Sequence, residues 1–144
     1  SMTNTFRYKN IDLSLFFQTA LGFDIFNIHD FYYGTKNFQG NVMDKAYSKN
    51  KIISQNPIVC DYFLEPGDYL KLSSINLGYT LNLNKKYVDA IRLYATASNL
   101  FTITKFSGID PSNYQLNGLN PGATGSRTYF PSTRQFMIGM QIDF

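Results

Sequence analysis

Cysteine is nearly absent: Cys60 stands alone among 144 residues, so no disulfide framework exists within the chain. Tryptophan is missing, and His29 is the one histidine. A single histidine and a single cysteine remove most nucleophile–base pairs, no other acid, base and nucleophile set assembles, and an enzyme is not expected. Metal sites need clustered His, Cys or carboxylates. Asp24, Asp30 and Asp44 are spread out without the spacing of a calcium loop, so no metal and no cofactor is expected. Gly118, Gly122 and Gly125 carry no phosphate-loop pattern and precede no helix. Charged residues make up only 16%, against about a quarter in ordinary soluble domains. The net charge of +3 comes from scattered bases and calls for no nucleic acid. No apolar run approaches the roughly 18 residues of a membrane helix. That excludes spanning helices and nothing else, because barrel strands cross with a weaker, alternating signal.

Aromatic rings are plentiful instead, with 13 Phe and 11 Tyr, a composition that suits strands and interfaces. The last eleven residues set the pattern. Phe136, Ile138, Met140, Ile142 and Phe144 fall on one face of a strand, and Gln135, Met137, Gly139, Gln141 and Asp143 on the other. One face is apolar; the other is small or polar apart from Met137. Two readings fit. A transmembrane barrel strand of roughly nine to eleven residues would turn the first face to lipid and the second to a wet lumen. A soluble β-sandwich, for instance a carbohydrate-binding module, would bury the first face against a second sheet.

The same alternation recurs upstream. Residues 3–8 read as the end of a strand, and Tyr8-Lys9-Asn10 as a hairpin turn. The strand over 11–21 sets Ile11, Leu13, Leu15, Phe17, Thr19 and Leu21 against Asp12, Ser14, Phe16, Gln18 and Ala20. A third strand over 68–83 opposes Ile75, Leu77, Tyr79 and Leu81 to Ser74, Asn76, Gly78 and Thr80. Its parity fails at Leu70 and Leu72, which calls for a bulge near Ser73-Ser74 or for protein against the lumen side. A polar turn is expected over 82–89, with Lys85 and Lys86, then a fourth strand over 90–105. That strand sets Ile91, Leu93, Ala95, Ala97, Asn99, Phe101 and Ile103 against Arg92, Tyr94, Thr96, Ser98, Leu100 and Thr102. Two long loops interrupt the pattern, 22–67 and 106–132. The first carries a helix expected around Asp24 to Tyr33 and is too aromatic to be disordered. Connections therefore alternate short, long, short, long, as in outer-membrane barrels with short periplasmic turns and long extracellular loops. Phe6, Tyr8, Tyr87 and Phe144 then gather at one interface, and Phe101, Tyr69 and Phe130 at the other, like two aromatic girdles.

Three stretches resemble one family. Phe63-Leu64-Glu65-Pro66-Gly67-Asp68-Tyr69-Leu70-Lys71-Leu72-Ser73-Ser74-Ile75-Asn76-Leu77-Gly78-Tyr79-Thr80-Leu81 is similar to "DGDYLRLKNLTLGYTLP". Residues 91–111 resemble "LRVYVSGQNLFTITKYSGLDPE", and Asn10 to Gln18 resemble "NFDLSFFFQG". Pro131 and Arg134 precede the last strand in the family manner. The family is that of the SusC/RagA-like TonB-dependent outer-membrane transporters. The resemblance implies an all-β, antiparallel transmembrane β-barrel of about 22 strands around an N-terminal plug. This chain would supply the last four strands and the tail of a fifth, with two long extracellular loops. On that reading residues 1–2 are a tag remnant and 3–144 the C-terminal part of the barrel. The function implied is part of an energy-dependent importer of large nutrients, oligosaccharides or oligopeptides, in the Gram-negative outer membrane. Partners implied are outer-membrane lipid, the rest of the barrel and its plug, a SusD-like surface lipoprotein, TonB acting through a region outside this chain, and the solute. Five strands alone would leave two open edges, an aggregation hazard.

Loop residues Phe31, Tyr32, Tyr33, Asn113, Tyr114, Asn117 and Asn120 are candidates for contact with solute or lid, since Tyr offers a flat apolar face and a hydroxyl. For the rings of the first loop, around Phe31-Tyr32-Tyr33, the favoured reading is that they form the loop's own small core. Phe136, Ile138, Met140, Ile142 and Phe144 resemble the C-terminal signal that barrel-assembly machinery recognises, and equally an interfacial anchor. His29 and Cys60 are expected to be ordinary loop residues.

Overall fold

A computed structural model describes residues 1–53, 56–85, 87–114, 122 and 130–144. Among these residues seven strands and one short α-helix follow in order: β1 (Met2–Tyr8), β2 (Ile11–Ala20), β3 (Asp24–Phe26), α1 (Ile28–Tyr33), β4 (Leu64–Pro66), β5 (Tyr69–Lys85), β6 (Val88–Thr104) and β7 (Gln135–Asp143). The chain divides into two compact units. One comprises Ser1–Thr19, Leu70–Ile103 and Ser132–Phe144; the other comprises Ala20–Tyr69 and Thr104–Pro131.

The first unit is a five-stranded sheet in the order β1-β2-β5-β6-β7. The β1–β2 hairpin turns at Lys9, whose φ of 52° lies in the left-handed region. β6 and β7 pair antiparallel from Ala90↔Asp143 to Ser98↔Gln135. This register sets Ile91 opposite Ile142, Leu93 opposite Met140, Ala95 opposite Ile138 and Ala97 opposite Phe136. Those apolar pairs share one face. Arg92↔Gln141, Tyr94↔Gly139 and Thr96↔Met137 share the other.

A phase shift in β5 keeps its apolar residues on the apolar face. The Ser73 hydroxyl donates to Gln18 Oε1 at 2.7 Å, and the Thr96 hydroxyl to Asn76 Oδ1 at 2.7 Å. Gln18 lies on the face of Asp12, and Thr96 on that of Arg92. Ser73 and Asn76 therefore point the same way although they are three positions apart, which regular alternation forbids. One residue between them is out of register, as in a β-bulge. With that phase Leu70 and Leu72 fall in line with Ile75, Leu77 and Tyr79, as the first of the two explanations of the parity failure, a bulge, requires.

Two elements and one residue depart from expectation. The helix expected from Asp24 begins only at Ile28, because Asp24–Phe26 pairs with Leu64–Pro66 as a two-stranded ribbon. The turn expected over 82–89 is much shorter, with β5 running to Lys85 and β6 starting at Val88. Hairpin pairing of the long neighbours carries polar Asn82 into a strand. Asn99 is no ordinary member of an apolar row. It has φ 55°, and its amide donates to the Thr133 carbonyl at 3.1 Å, just past the end of the β6–β7 ladder. Asparagine tolerates that conformation better than other residues with a Cβ. Asn99→Val is expected to cost about 1–2 kcal/mol in the full receptor, while Asn99→Gly stays near wild type, as read from thermal unfolding.

The second unit has its own core. Ile25, Ala46, Phe63 and Phe106 are buried in it. Phe26, Phe31 and Phe63 pack ring on ring, with centroids 5.2–6.1 Å apart. The long first loop is thus folded around its aromatics.

Candidate functional site

On the polar face of the sheet, an ion pair crosses a whole strand. Arg92 Nη2 on β6 donates to Asp12 Oδ2 on β2 at 2.6 Å, with β5 between them. The pair passes over Gly78, where a Cβ would overlap both the Asp12 carboxylate and the Arg92 guanidinium. The missing side chain is what lets two strands that are not neighbours touch. Gly139, on the neighbouring strand β7, has a similar role, since the Tyr94 ring lies where its Cβ would be. The polar face is therefore a tied layer of ion pair, amide, hydroxyl and ring.

The apolar row of β7 is bare. Ile138 is 87% exposed, Phe136 75% and Met140 59%. No second sheet covers this row among the described residues, which disfavours the soluble sandwich and leaves the face needing an apolar medium. Phe144, Tyr8, Phe6 and Tyr87 are exposed, as are Phe101 and Phe130. No described helix is long and apolar enough to cross a membrane, which says nothing against strands.

In the second unit a polar network holds the two long loops together. Glu65 accepts from the Ser107 amide and hydroxyl, both at 2.7 Å, and from the Asn27 amide at 3.2 Å. Lys45 Nζ lies 2.6 Å from Ser107 Oγ, 3.4 Å from Asp30 Oδ2 and 3.9 Å from Glu65 Oε1. Asn27 also caps α1, its side chain accepting from the Asp30 amide. Asn50 donates to Asp30 Oδ1 and to the Gly34 carbonyl, both at 2.8 Å, and accepts from the Tyr62 hydroxyl at 2.9 Å. Burial alone would raise the Glu65 pKa. The Ser107 hydroxyl and amide, the Asn27 amide and Lys45 outweigh it and hold the carboxyl below its ordinary value. A lowered folded pKa stabilises above the ordinary carboxylate value and is lost as pH falls through the folded one. Hydrogen-exchange protection of the Ser107 amide is therefore expected to drop on acidification in that range, and Glu65→Gln to flatten the dependence.

The sequence candidates separate. Phe31 belongs to the loop's core, 5.2 Å from Phe63 and 5.1 Å from Tyr32 between ring centroids. Tyr33 packs on Phe38 at 4.8 Å. Tyr32 is exposed, and with Phe31, Thr35 and Phe38 it lines a cleft of about 250 Å³. Tyr114 stacks on Phe23 at 4.8 Å, and the Asn113 amide bonds the Asp110 carbonyl. Asn117 and Asn120 lie outside the described residues. His29 is buried beside Tyr33, and desolvation lowers its pKa. Cys60 is exposed on a larger, mostly apolar hollow of about 560 Å³ with Ile52, Ile58, Tyr62 and Lys49. Sequence reading missed that hollow and the Asn27–Lys45–Glu65–Ser107 network; the scattered aliphatics Ile52 and Ile58 were its faint sign. Among the described residues no three His, Cys, Asp or Glu side chains come together as a metal site.

No protein-family model matches the chain. It is 29% identical to TonB-dependent receptor P3 of Formosa agariphila over 160 aligned positions, covering 98% of this chain and 16% of that protein. It is 29% identical to TonB-dependent receptor SusC of Bacteroides thetaiotaomicron, covering 99% of the chain and 15% of SusC. The chain thus spans about one sixth of the curated relatives it matches. Among solved structures it superimposes on the RagAB peptide importer in the closed-closed state with a TM-score of 0.73 and 26% identity, covering 99% of this chain and 17% of that one. A second RagAB structure gives a TM-score of 0.71 at 24% identity, which speaks to the fold. The chain is similar over nearly its whole length to a segment of TonB-dependent receptors, SusC among them, and its antiparallel sheet has the fold of the matching β-barrel segment of the RagAB importer.

Proposed function

We propose that residues 3–144 form the C-terminal part of the barrel of a TonB-dependent importer in the outer membrane of a Gram-negative cell. The cargo class is large nutrients, oligopeptides or oligosaccharides. No bond in the solute is made or broken; the strands supply wall and the two long loops face the outside. A SusD-like surface lipoprotein closes over those loops, and TonB acts through a region of the receptor outside this chain. The row Phe136, Ile138, Met140, Ile142 and Phe144 serves both as lipid contact and as the signal for barrel assembly. The observation that carries the reading is that bare row backed by the tied polar layer. Exposed Tyr32 and the apolar hollow by Tyr62 are the loop surfaces best suited to solute or lid. The aromatic cleft and apolar hollow suit peptide side chains at least as well as sugars.

The test is a nitroxide scan of the full-length receptor in lipid, on an otherwise cysteine-free background. A label at Ile138 is expected to collide with dissolved oxygen, and one at Gln141 with a water-soluble nickel reagent. The opposite pattern, or neither probe reaching Ile138, would refute the membrane orientation.

A further inference from the structure

The chain's one histidine is buried without a partner. His29, in the first turn of α1, is 9% exposed, and neither Nδ1 nor Nε2 has a hydrogen-bond partner among the described residues. Uncharged, such a ring costs its unmade hydrogen bonds. Protonated, it becomes a buried cation with two N–H donors, which costs far more when no acceptor or counter-ion faces it. The charges around it are committed elsewhere. Asp30 follows it on α1, but successive helix residues do not face each other, and its oxygens take Asn50 at 2.8 Å and Lys45 at 3.4 Å. Lys45, on the 3-10 turn Asp44–Ala46, is itself a cation. Glu65 on β4 is held by Ser107 and Asn27. The 3-10 turn Asp61–Phe63 packs on α1 and carries Asp61 and Tyr62, whose hydroxyl donates to Asn50. None of these groups moves the imidazole's titration; burial is the one cause that lowers it.

Resting on the reading that turns the long loops outward, we propose that His29 is an acid-operated release for the loop unit: a proton taken up by its ring unseats α1 and loosens the first long loop's grip on the second. α1 is the element whose release has the widest effect. It carries Asp30, the anchor shared by Asn50 and Lys45, and Phe31, which packs on Phe26 and Phe63. Its cap, Asn27, also bonds Glu65 and Ser107. Above the ordinary imidazole value the ring is uncharged in the closed and the open loop alike, and stability is complete. Below that value the open form takes a proton that the closed form resists. Closing then weakens about tenfold per pH unit until the folded value is reached. Glu65 responds only below the ordinary carboxylate value, so the two groups act in separate windows.

The experiment follows hydrogen exchange in the full-length receptor in lipid, at the peptide holding the Phe31 and Gly34 amides, which bond the Asn27 and Asp30 carbonyls. Rates are corrected for the intrinsic effect of pH and compared at about pH 7.5 and about pH 5.5, above the window of Glu65. Wild type is expected to lose about tenfold in protection. His29→Phe and His29→Gln are expected to show no such loss, and the glutamine variant carries the test should the phenylalanine one fail to assemble. Glu65→Gln is expected to keep the loss. A wild type without it, an equal loss in His29→Gln, or its disappearance in Glu65→Gln would overturn the proposal. The exchange readout assumes nothing about the membrane. No loss in wild type, with a nitroxide at Ile138 still colliding with oxygen, sinks the release alone. The loss with the nickel reagent reaching Ile138 instead sinks the orientation and leaves the release standing.

Discussion

Replacing Ile138 by arginine is expected to destabilise the assembled receptor by about 2–4 kcal/mol, read as the denaturant midpoint in lipid vesicles. Ile138 pairs with Ala95 near the middle of β7 and is 87% exposed. On the proposed orientation an arginine there stands in hydrocarbon with no partner opposite but the Ala95 methyl group. Its nearest relief is to stretch toward a headgroup, which is hardest from mid-strand. The control is Gln141→Arg on the same strand. It faces Arg92 across the ladder, so it meets water and a like charge and should cost well under half as much. If both substitutions cost the same, or if Ile138→Arg is silent, the apolar row does not meet lipid.

Gly78→Leu is expected to cost about 2–3 kcal/mol and to unlink β2 from β6. The new side chain would occupy the space through which Asp12 reaches Arg92. Both partners are part-exposed, with side chains 25% and 40% accessible, so the Coulombic loss itself is modest. Most of the effect is steric, from overpacking beneath the pair. A double-mutant cycle separates the two: Asp12→Asn should cost much less than Gly78→Leu, and combining them should add little beyond the glycine change. Full additivity would mean that the pair and the glycine are independent.

Regular stretches of this fold were readable before any coordinates. Alternation in 136–144 and in 11–21 gave the strands, their faces and the short-long order of connections, because period two survives wherever one face is apolar. Tyr94 over Gly139 was not readable, since only the register brings these two residues together. The cross-strand tie of Asp12 to Arg92 was hidden for the same reason, with eighty positions between them. In the loops, local aromatic density said that a core would form, and Phe31 did join it. The polar network stayed illegible because Asn27, Lys45, Glu65 and Ser107 come from widely separated stretches and carry no spacing signal. Asn99 misled for a subtler reason. Its position in the row looked like one polar exception, whereas its backbone, at φ 55°, had left the strand conformation.

The offset between Ser73 and Asn76 acts as a gear tooth in β5. Deleting one residue there would rotate everything before it by half a turn, driving Lys71 outward and Leu70 and Leu72 toward water. An insertion of two would leave every side chain on its present side. Natural length variation at this spot should therefore come in even steps, and any alignment gap of one residue within 73–76 marks a relative whose strand has lost the offset.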